Sequence, residues 1–285
     1  MNRVVWVDLA KATAIIGVVI VHVSQVIPLP KLMHLSASFG AMGVQLFFLL
    51  SAYCLCMTWK ELPLTWCWWW RKYCRLAPWY FAGIVLYWVY HALVQDGHVV
   101  NYTVLNIVTN ALLINGLFPS AQNSIVPGGW SISCIALFVF IWPLLRNLKT
   151  TTLFIIGIMS CVVNSIGYLV FDFSRFFAYC SPLNQFIVFV LGIALFRWKS
   201  RIRTSWAVTM LISFFLFAVM AVVFGREYNI LYRHILMALS FFGLAVVLMR
   251  SKIAWPRWIL LIGRYSYEIF ILHFLVIWCI KRLIK

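Results

Sequence analysis

The stretch VDLAKATAIIGVVIVH, residues 7–22, decides the fold class of this chain. Extended to residues 5–27, it is an apolar run long enough to cross a hydrocarbon layer roughly 30 Å thick. Similar runs recur along the 285 residues, of which 65% are hydrophobic and 10% charged. A soluble core does not use so many apolar residues, so the sequence predicts an all-α polytopic membrane protein. We expect a single transmembrane domain over residues 1–285, with no soluble appendage.

Hydropathy predicts about nine to ten transmembrane helices in a single bundle. The nine clear spans are residues 5–27, 39–58, 76–95, 130–145, 150–171, 184–196, 206–224, 230–249 and 258–280. A tenth candidate, residues 104–118, is short, contains three asparagines and is closed by Pro119, so it either crosses or re-enters. With the N-terminus in the cytoplasm, nine crossings place more lysine and arginine inside than ten do. The positive-inside rule therefore favours nine.

The basic residues give a formal net charge of +17, but they lie singly or in small groups between apolar runs. This distribution is typical of loop charges that set orientation, so we expect a lipid bilayer as partner and no nucleic acid. The eight cysteines lack the paired spacing of a zinc or redox site. We expect them to pack as small apolar residues, and we expect no metal site.

Three ionisable residues lie in the first predicted helix: Asp8, Lys11 and His22. Lys11 and His22 are eleven residues apart, so they differ by about 20° around the helix and by about 16 Å along it. Asp8 is within pairing reach of Lys11, and Gln25 continues the same stripe. The Asp8 and Lys11 pair is either an ion pair at the cytoplasmic end or functional. His22 either bonds a neighbouring helix or accepts a proton.

Two further features carry polar groups. Glu268 and His273 lie five residues apart in the last predicted helix, about 140° apart in azimuth, so we expect them on different faces. Trp130 follows the breaker group Pro127, Gly128 and Gly129, which predicts a sharp turn. Its simplest interpretation is a loop that closes a helix.

Five segments together resemble the acyltransferase 3 family of membrane-bound acyltransferases. Residues 7–22 resemble its first helix, in which a basic residue and a histidine, here Lys11 and His22, have ten residues between them. The other four segments are GVQLFFLLSAY (43–53), RKYCRLAP (71–78), VPGGWSI (126–132) and GRYSYEIFILHF (263–274). Two positions depart from the family pattern: Ala52 replaces a usual glycine, and Ile135 stands where a glutamate is frequent.

The resemblance implies transfer of an acyl group, most often acetyl, from cytoplasmic acyl-CoA to a hydroxyl of a cell-surface polysaccharide or its lipid-linked precursor. It also implies a bacterial inner membrane protein with acetyl-CoA as co-substrate and no permanently bound cofactor. Two alternatives stay open. Intramembrane charges also mark a transporter or flippase of glycan precursors, and Ile135 is compatible with a catalytically inactive relative.

The resemblance also implies roles for individual residues. His22 would act as general base on the acceptor hydroxyl, or else carry the acyl group, and we prefer the base. Lys11 and Asp8 would organise the inner end of the same helix, where Lys11 helps to hold the donor or the developing oxyanion. The donor-binding residues would be Arg71, Lys72 and Arg75, at the cytoplasmic surface. The possible substrate pocket consists of Gln25, Ser51, Tyr53, Trp130, Ser131, Ser266, Glu268 and His273.

Overall fold

The structure is a computed structural model that describes residues 4–27, 29–58, 66–94, 102–171, 173–224 and 231–284. Within these ranges the chain forms helices, turns and loops, which confirms the all-helical prediction. The α-helices are α1 (Val5–Ser24), α2 (Lys31–Ser38), α3 (Gly43–Thr58), α4 (Trp66–Val94), α5 (Val104–Ala111), α6 (Gly129–Leu145), α7 (Thr150–Val170), α8 (Arg175–Cys180), α9 (Pro182–Trp198), α10 (Thr204–Val223), α11 (Arg233–Arg250), α12 (Arg257–Arg264) and α13 (Ser266–Ile284).

Among the described residues, seven helical spans are long and apolar enough to cross a membrane. The pair α12 and α13 makes an eighth span if it is counted as one, although the two helices are bent by 81°. This count is lower than the predicted nine to ten transmembrane helices. The predicted span at residues 130–145 forms α6, which has only 17 residues and so extends about 26 Å. Gly128 adopts a left-handed backbone conformation (φ 80°) immediately before α6 and ends the preceding loop.

The tenth candidate, residues 104–118, does not form a crossing helix. Its helix α5 ends at Ala111 after eight residues, about 12 Å. The asparagines hold the following loop instead: Asn110 accepts a hydrogen bond from Tyr80 Oη (2.7 Å) and donates one to Ser124 Oγ (2.9 Å). Asn115 donates to the carbonyl oxygen of Gln122 at 3.2 Å. These side chains are buried and satisfy the polar groups of an irregular segment, as membrane depth requires.

Helices α3 and α9 form the centre of the bundle. Both are apolar on nearly every side, and a helix with that pattern is stable only when other helices surround it. Gly192 of α9 packs against the backbone of Leu49 in α3, and Gly43 of α3 packs against the backbone of Ala14 in α1. A Cβ atom at either glycine would overlap a carbonyl oxygen, so glycine permits the close approach of these helices.

Helices α7 and α10 present large apolar side chains at the periphery. Ile158 and Leu169 of α7 and Trp206 and Phe217 of α10 are each more than half exposed. Such faces are expected where a helix meets lipid, because the hydrocarbon tails are as apolar as the side chains. Together with the long apolar spans, they identify a multi-pass membrane protein.

The ends of several helices meet at one end of the bundle, which we call the basic end. Trp6 of α1 contacts Tyr53 of α3 edge to face, with ring centroids 4.9 Å apart, and Lys199 Nζ donates to Tyr53 Oη at 3.2 Å. Arg197 donates to backbone carbonyls of the turn between α6 and α7, and Arg250 to those after α9. The start of α1 and the C-terminal ends of α3, α6, α9 and α11 therefore lie together.

Candidate functional site

Helices α1, α3, α4, α6, α12 and α13 line a cavity of about 650 Å³. This volume lies in the range of small-molecule sites, roughly 300–1,000 Å³. On α3 the lining positions run from Val44 to Thr58, which are fourteen positions apart and so about 21 Å apart along the helix. Thr58 and Val4 place one end of the cavity at the basic end of the bundle.

The described lining is rich in cations. Lysines and arginines outnumber carboxylates, so the cavity favours a ligand that carries several negative charges. The cations are Lys11, Lys72, Arg75 and Arg264, and the carboxylates are Asp8 and Glu268. They come from α1, α4, α12 and α13, so the packing of separate helices creates the charged region.

Close packing of α12 on α1 brings Arg264 to the cavity. Gly263 lies against the backbone of Asp8, where a Cβ atom would overlap the Asp8 carbonyl oxygen. The next residue, Arg264, ends α12, and the 81° bend to α13 follows. On the α4 side, Lys72 Nζ lies 5.4 Å from the ring centroid of Trp68, a cation–π distance. An aromatic side chain in the first turn of α4 thus helps to hold a cavity lysine.

Hydroxyl groups and apolar side chains make up the rest of the lining. Ser51, Ser131 and Ser266 all face the cavity, and Ser131 Oγ donates to the carbonyl of Gly128 at 2.8 Å. The apolar part includes Phe47 and Ile132, together with other residues of α3 and α6. The cavity therefore combines a cationic region with a long apolar wall.

Ile135, the position at which the family often has glutamate, lines this same cavity. Its place is therefore part of the site, and the chain puts an apolar side chain there. A carboxylate still faces the cavity from another helix, because Glu268 of α13 is among its lining residues. The departure changes which wall carries the negative charge.

His22 lies outside the described lining of the cavity. Its Nδ1 is 3.1 Å from Gln25 Oε1, its ring centroid is 5.2 Å from that of His273, and it is 4.2 Å from that of Phe274. His22 is half-buried and His273 is buried. The predicted catalytic set is thus divided, because Asp8 and Lys11 line the cavity while His22 pairs with His273 further along the bundle.

The hydrogen bonds of the two histidines define their tautomers. Gln25 Oε1 can only accept, so the proton of neutral His22 lies on Nδ1 and its Nε2 carries a lone pair. His273 Nδ1 lies 2.7 Å from the carbonyl oxygen of Phe270, which assigns the same tautomer to His273. Its Nε2 is buried without a hydrogen-bond partner among the described residues. Within that part of the chain no group of three or more His, Cys, Asp or Glu could hold a metal ion.

Phe270 connects the wall of the cavity to the histidine pair. Its side chain lines the cavity, and its ring centroid is 5.7 Å from that of His273. The ring tip packs against Gly128, where a Cβ atom would approach it to 3.0 Å. Along α13, Glu268 therefore faces the cavity while His273 faces His22, which confirms that they occupy different faces of the helix.

Three predicted site residues have other surroundings. Tyr53 Oη accepts from Lys199, and Trp130 packs between Phe48 (6.1 Å) and Tyr179 (5.6 Å). Arg71 is exposed and its Nε donates to a carbonyl oxygen of its own helix at 3.2 Å. None of these three is among the described cavity-lining residues. Gln25, also outside that lining, orients His22.

The sequence did not single out Arg264 or Tyr267, although both line the cavity. Tyr267 Oη donates to the carbonyl oxygen of Leu76 at 2.7 Å, which ties α13 to α4. A signal was present for Arg264, because it precedes Glu268 by four residues and an intramembrane charge indicates function by default. The bend after Arg264 could not be foreseen from that spacing.

The fold and the cavity define a multi-pass helical membrane protein with a charged internal site. The model of the acyltransferase 3 family, described as an acyltransferase domain, matches residues 4–285. The chain belongs to this family, which confirms the resemblance drawn from the five segments. No curated protein and no solved structure matches the chain. Family membership implies a membrane acyltransferase activity.

Proposed function

We propose that this protein transfers an acetyl group from acetyl-CoA to a hydroxyl of a cell-surface polysaccharide, or of its lipid-linked precursor, at a bacterial inner membrane. The observation that carries the proposal is the cavity, which joins a cationic region at the basic end to an apolar wall that includes Phe270, the ring neighbour of His273. Family membership supports acyl transfer, and the charge of the cavity supports a polyanionic donor.

The donor enters from the basic end in this proposal. Lysines and arginines concentrate there, and the positive-inside rule assigns such an end to the cytoplasm, where acyl-CoA is available. This orientation places the N-terminus in the cytoplasm and uses nine crossings, with α6 as the short one. Lys72, Arg75 and Arg264 neutralise the phosphates, with arginine offering paired donors and lysine a point charge.

His22 acts as the general base. Its Nε2 takes the proton of the acceptor hydroxyl while that oxygen attacks the thioester carbon. The carbon–sulfur bond then breaks, the acyl–oxygen bond forms, and the thiolate of CoA takes up the proton. Lys11 lies eleven residues from His22, about 16 Å along α1, so Lys11 acts on the donor and not on His22. The thioester approaches His22 along Phe270, whose side chain lines the cavity and whose ring neighbours that of His273.

The proposal is tested with purified protein in liposomes that receives labelled acetyl-CoA and extracted glycan. We expect free thiol and acylated sugar to appear in equal amounts. Absence of both donor binding and transfer with several acceptors would refute the proposal. Donor binding without any transfer would identify an inactive relative, and glycan movement across the liposome without acylation would identify a flippase.

A further inference from the structure

Glu268 has a carboxylate oxygen with no hydrogen-bond partner. Within the described residues, its Oε2 is buried and unpartnered, although the side chain lines the cavity. A buried polar atom left without a partner costs free energy, by an amount that is larger for a charged group. Native structures retain such an atom mainly where a ligand, an ion or water serves as its partner.

The missing partner must be a hydrogen-bond donor, because an ionised carboxylate can only accept. Its charge is compatible with the cavity, since Lys11, Lys72, Arg75 and Arg264 line the same space. The phosphates of acyl-CoA are acceptors, and the thioester has no donor. The pantetheine arm carries three donors, two amide N–H groups and one hydroxyl, and the two amides lie nearer to the thioester than the hydroxyl does.

The position of Glu268 along α13 fits that arm. Arg264 precedes the helix at the cationic region, Glu268 follows, and Phe270 closes the wall beside His273. From Ser266 to Phe270 the helix rises about 6 Å. An arm that extends from bound phosphates towards the histidines therefore runs past Glu268 before its thioester reaches Phe270.

We propose that Glu268 is a positioning residue that accepts a hydrogen bond from an amide N–H of the pantetheine arm and so fixes how far the thioester extends towards His22. This inference rests on the proposed function of the cavity as the acyl-CoA site. It assigns to Glu268 a role in binding, distinct from proton transfer. Ile135 lines the same cavity from α6 with an apolar side chain, so that position adds no second carboxylate.

The first test measures binding of two ligands that cannot transfer an acyl group: an S-alkyl CoA thioether and an S-alkyl pantetheine that lacks the nucleotide. We expect Glu268→Leu to weaken both ligands about tenfold to a hundredfold, because it removes an acceptor of charge-assisted strength. Lys72→Ala combined with Arg75→Ala should weaken only the CoA ligand. Ile269→Leu, a neighbouring apolar change on α13, is the matched control and should leave both affinities within about twofold.

The second test alters the ligand. Each amide N–H of the S-alkyl pantetheine is replaced in turn by an ester oxygen, which cannot donate. One replacement should weaken binding to the unaltered protein about tenfold and leave binding to Glu268→Leu unchanged, because the partner is already absent. Glu268→Gln retains an acceptor oxygen, so it should keep most of the affinity and most of the turnover.

The outcomes separate this inference from the proposed function. If the unaltered protein binds neither ligand, the acyl-CoA site itself is wrong and the role of Glu268 falls with it. If it binds both and Glu268→Leu binds them equally well, only the role of Glu268 is overturned. Loss of turnover in Glu268→Gln with unchanged ligand affinity would make Glu268 a proton acceptor and would also overturn the positioning role.

Discussion

The two ends of α1 place their polar residues in different surroundings. Asp8 and Lys11 line a wide cavity together with cations from α4 and α12, whereas His22 packs against the rings of His273 and Phe274. One end therefore suits a large anionic ligand, and the other suits the transfer of a single proton. Lys11 and His22, to which the proposed function assigns donor binding and proton acceptance, lie about 16 Å apart on one helix.

This separation agrees with the supply of the two substrates in the proposed reaction. An acyl-CoA donor reaches the protein from the cytoplasm, and a surface glycan reaches it from the membrane or from outside. A site built at two levels of the bundle can receive each substrate from its own side. Phe270 is the residue at which the two levels meet, since it lines the cavity and contacts His273.

The largest effect is expected for His22→Ala. Removing a general base lowers the turnover number about 10²- to 10⁴-fold, while the affinity for the CoA thioether should stay within about twofold because the cavity is unchanged. The measurement is acyl transfer to extracted glycan. His34→Ala, an exposed histidine of α2, is the control and should keep full turnover. Undiminished turnover in His22→Ala would remove His22 as the base.

The double variant Lys72→Ala and Arg75→Ala tests the opposite end. We expect its affinity for the CoA thioether to fall about tenfold to a hundredfold, because two charge-assisted contacts to phosphate are lost. Arg203→Ala, an exposed cation near the start of α10, should bind as the unaltered protein does. Arg71→Ala should also have little effect, since Arg71 is not among the described cavity-lining residues. Unchanged affinity in the double variant would contradict the donor assignment.

A smaller effect is expected for Gly263→Val, which pushes α12 away from the Asp8 backbone. The shift of Arg264 should weaken donor binding by less than about tenfold, and overpacking should lower the melting temperature in detergent. Gly243→Val is the control, because Gly243 also packs against a carbonyl oxygen, that of Ala207, but outside the cavity. If both variants have lower melting temperatures and their affinities for the donor fall by the same factor, the effect is general destabilisation.

The smallest effect is expected for Gln25→Leu. The substitution removes the oxygen that holds the proton of His22 on Nδ1. In a fraction of the molecules the basic nitrogen of His22 then no longer faces the substrate hydroxyl. Turnover should fall about threefold to tenfold with no change in donor affinity, as a partly exposed neutral hydrogen bond contributes little. Gln25→Glu keeps an acceptor oxygen and should restore most of the turnover. Equal loss in both variants would show that Gln25 does not act through that hydrogen bond.

The spacing of α1 could be predicted from the sequence because α1 is one continuous helix from Val5 to Ser24. Helix geometry alone then gives the distance between Lys11 and His22. The partner of His22 could not be predicted, because its contact with His273 depends on which helices become neighbours. The different faces of Glu268 and His273 follow from local geometry and were predicted.

The features that the sequence did not predict depend on backbone breaks. The bend after Arg264 turns α13 so that Glu268 and Phe270 line the cavity. Hydropathy treats residues 258–280 as one span, since it counts apolar residues and does not detect where a helix changes direction. The segment at residues 104–118 was ambiguous for the same reason.

The central claim is that one helix carries a donor-binding end and a separate proton-accepting end. Its most direct test is calorimetric titration of one CoA thioether into the unaltered protein, His22→Ala, and the Lys72→Ala and Arg75→Ala double variant. The account predicts that His22→Ala binds the thioether as the unaltered protein does and that the double variant binds it at least tenfold more weakly. Equal loss of binding in both variants would contradict the separation.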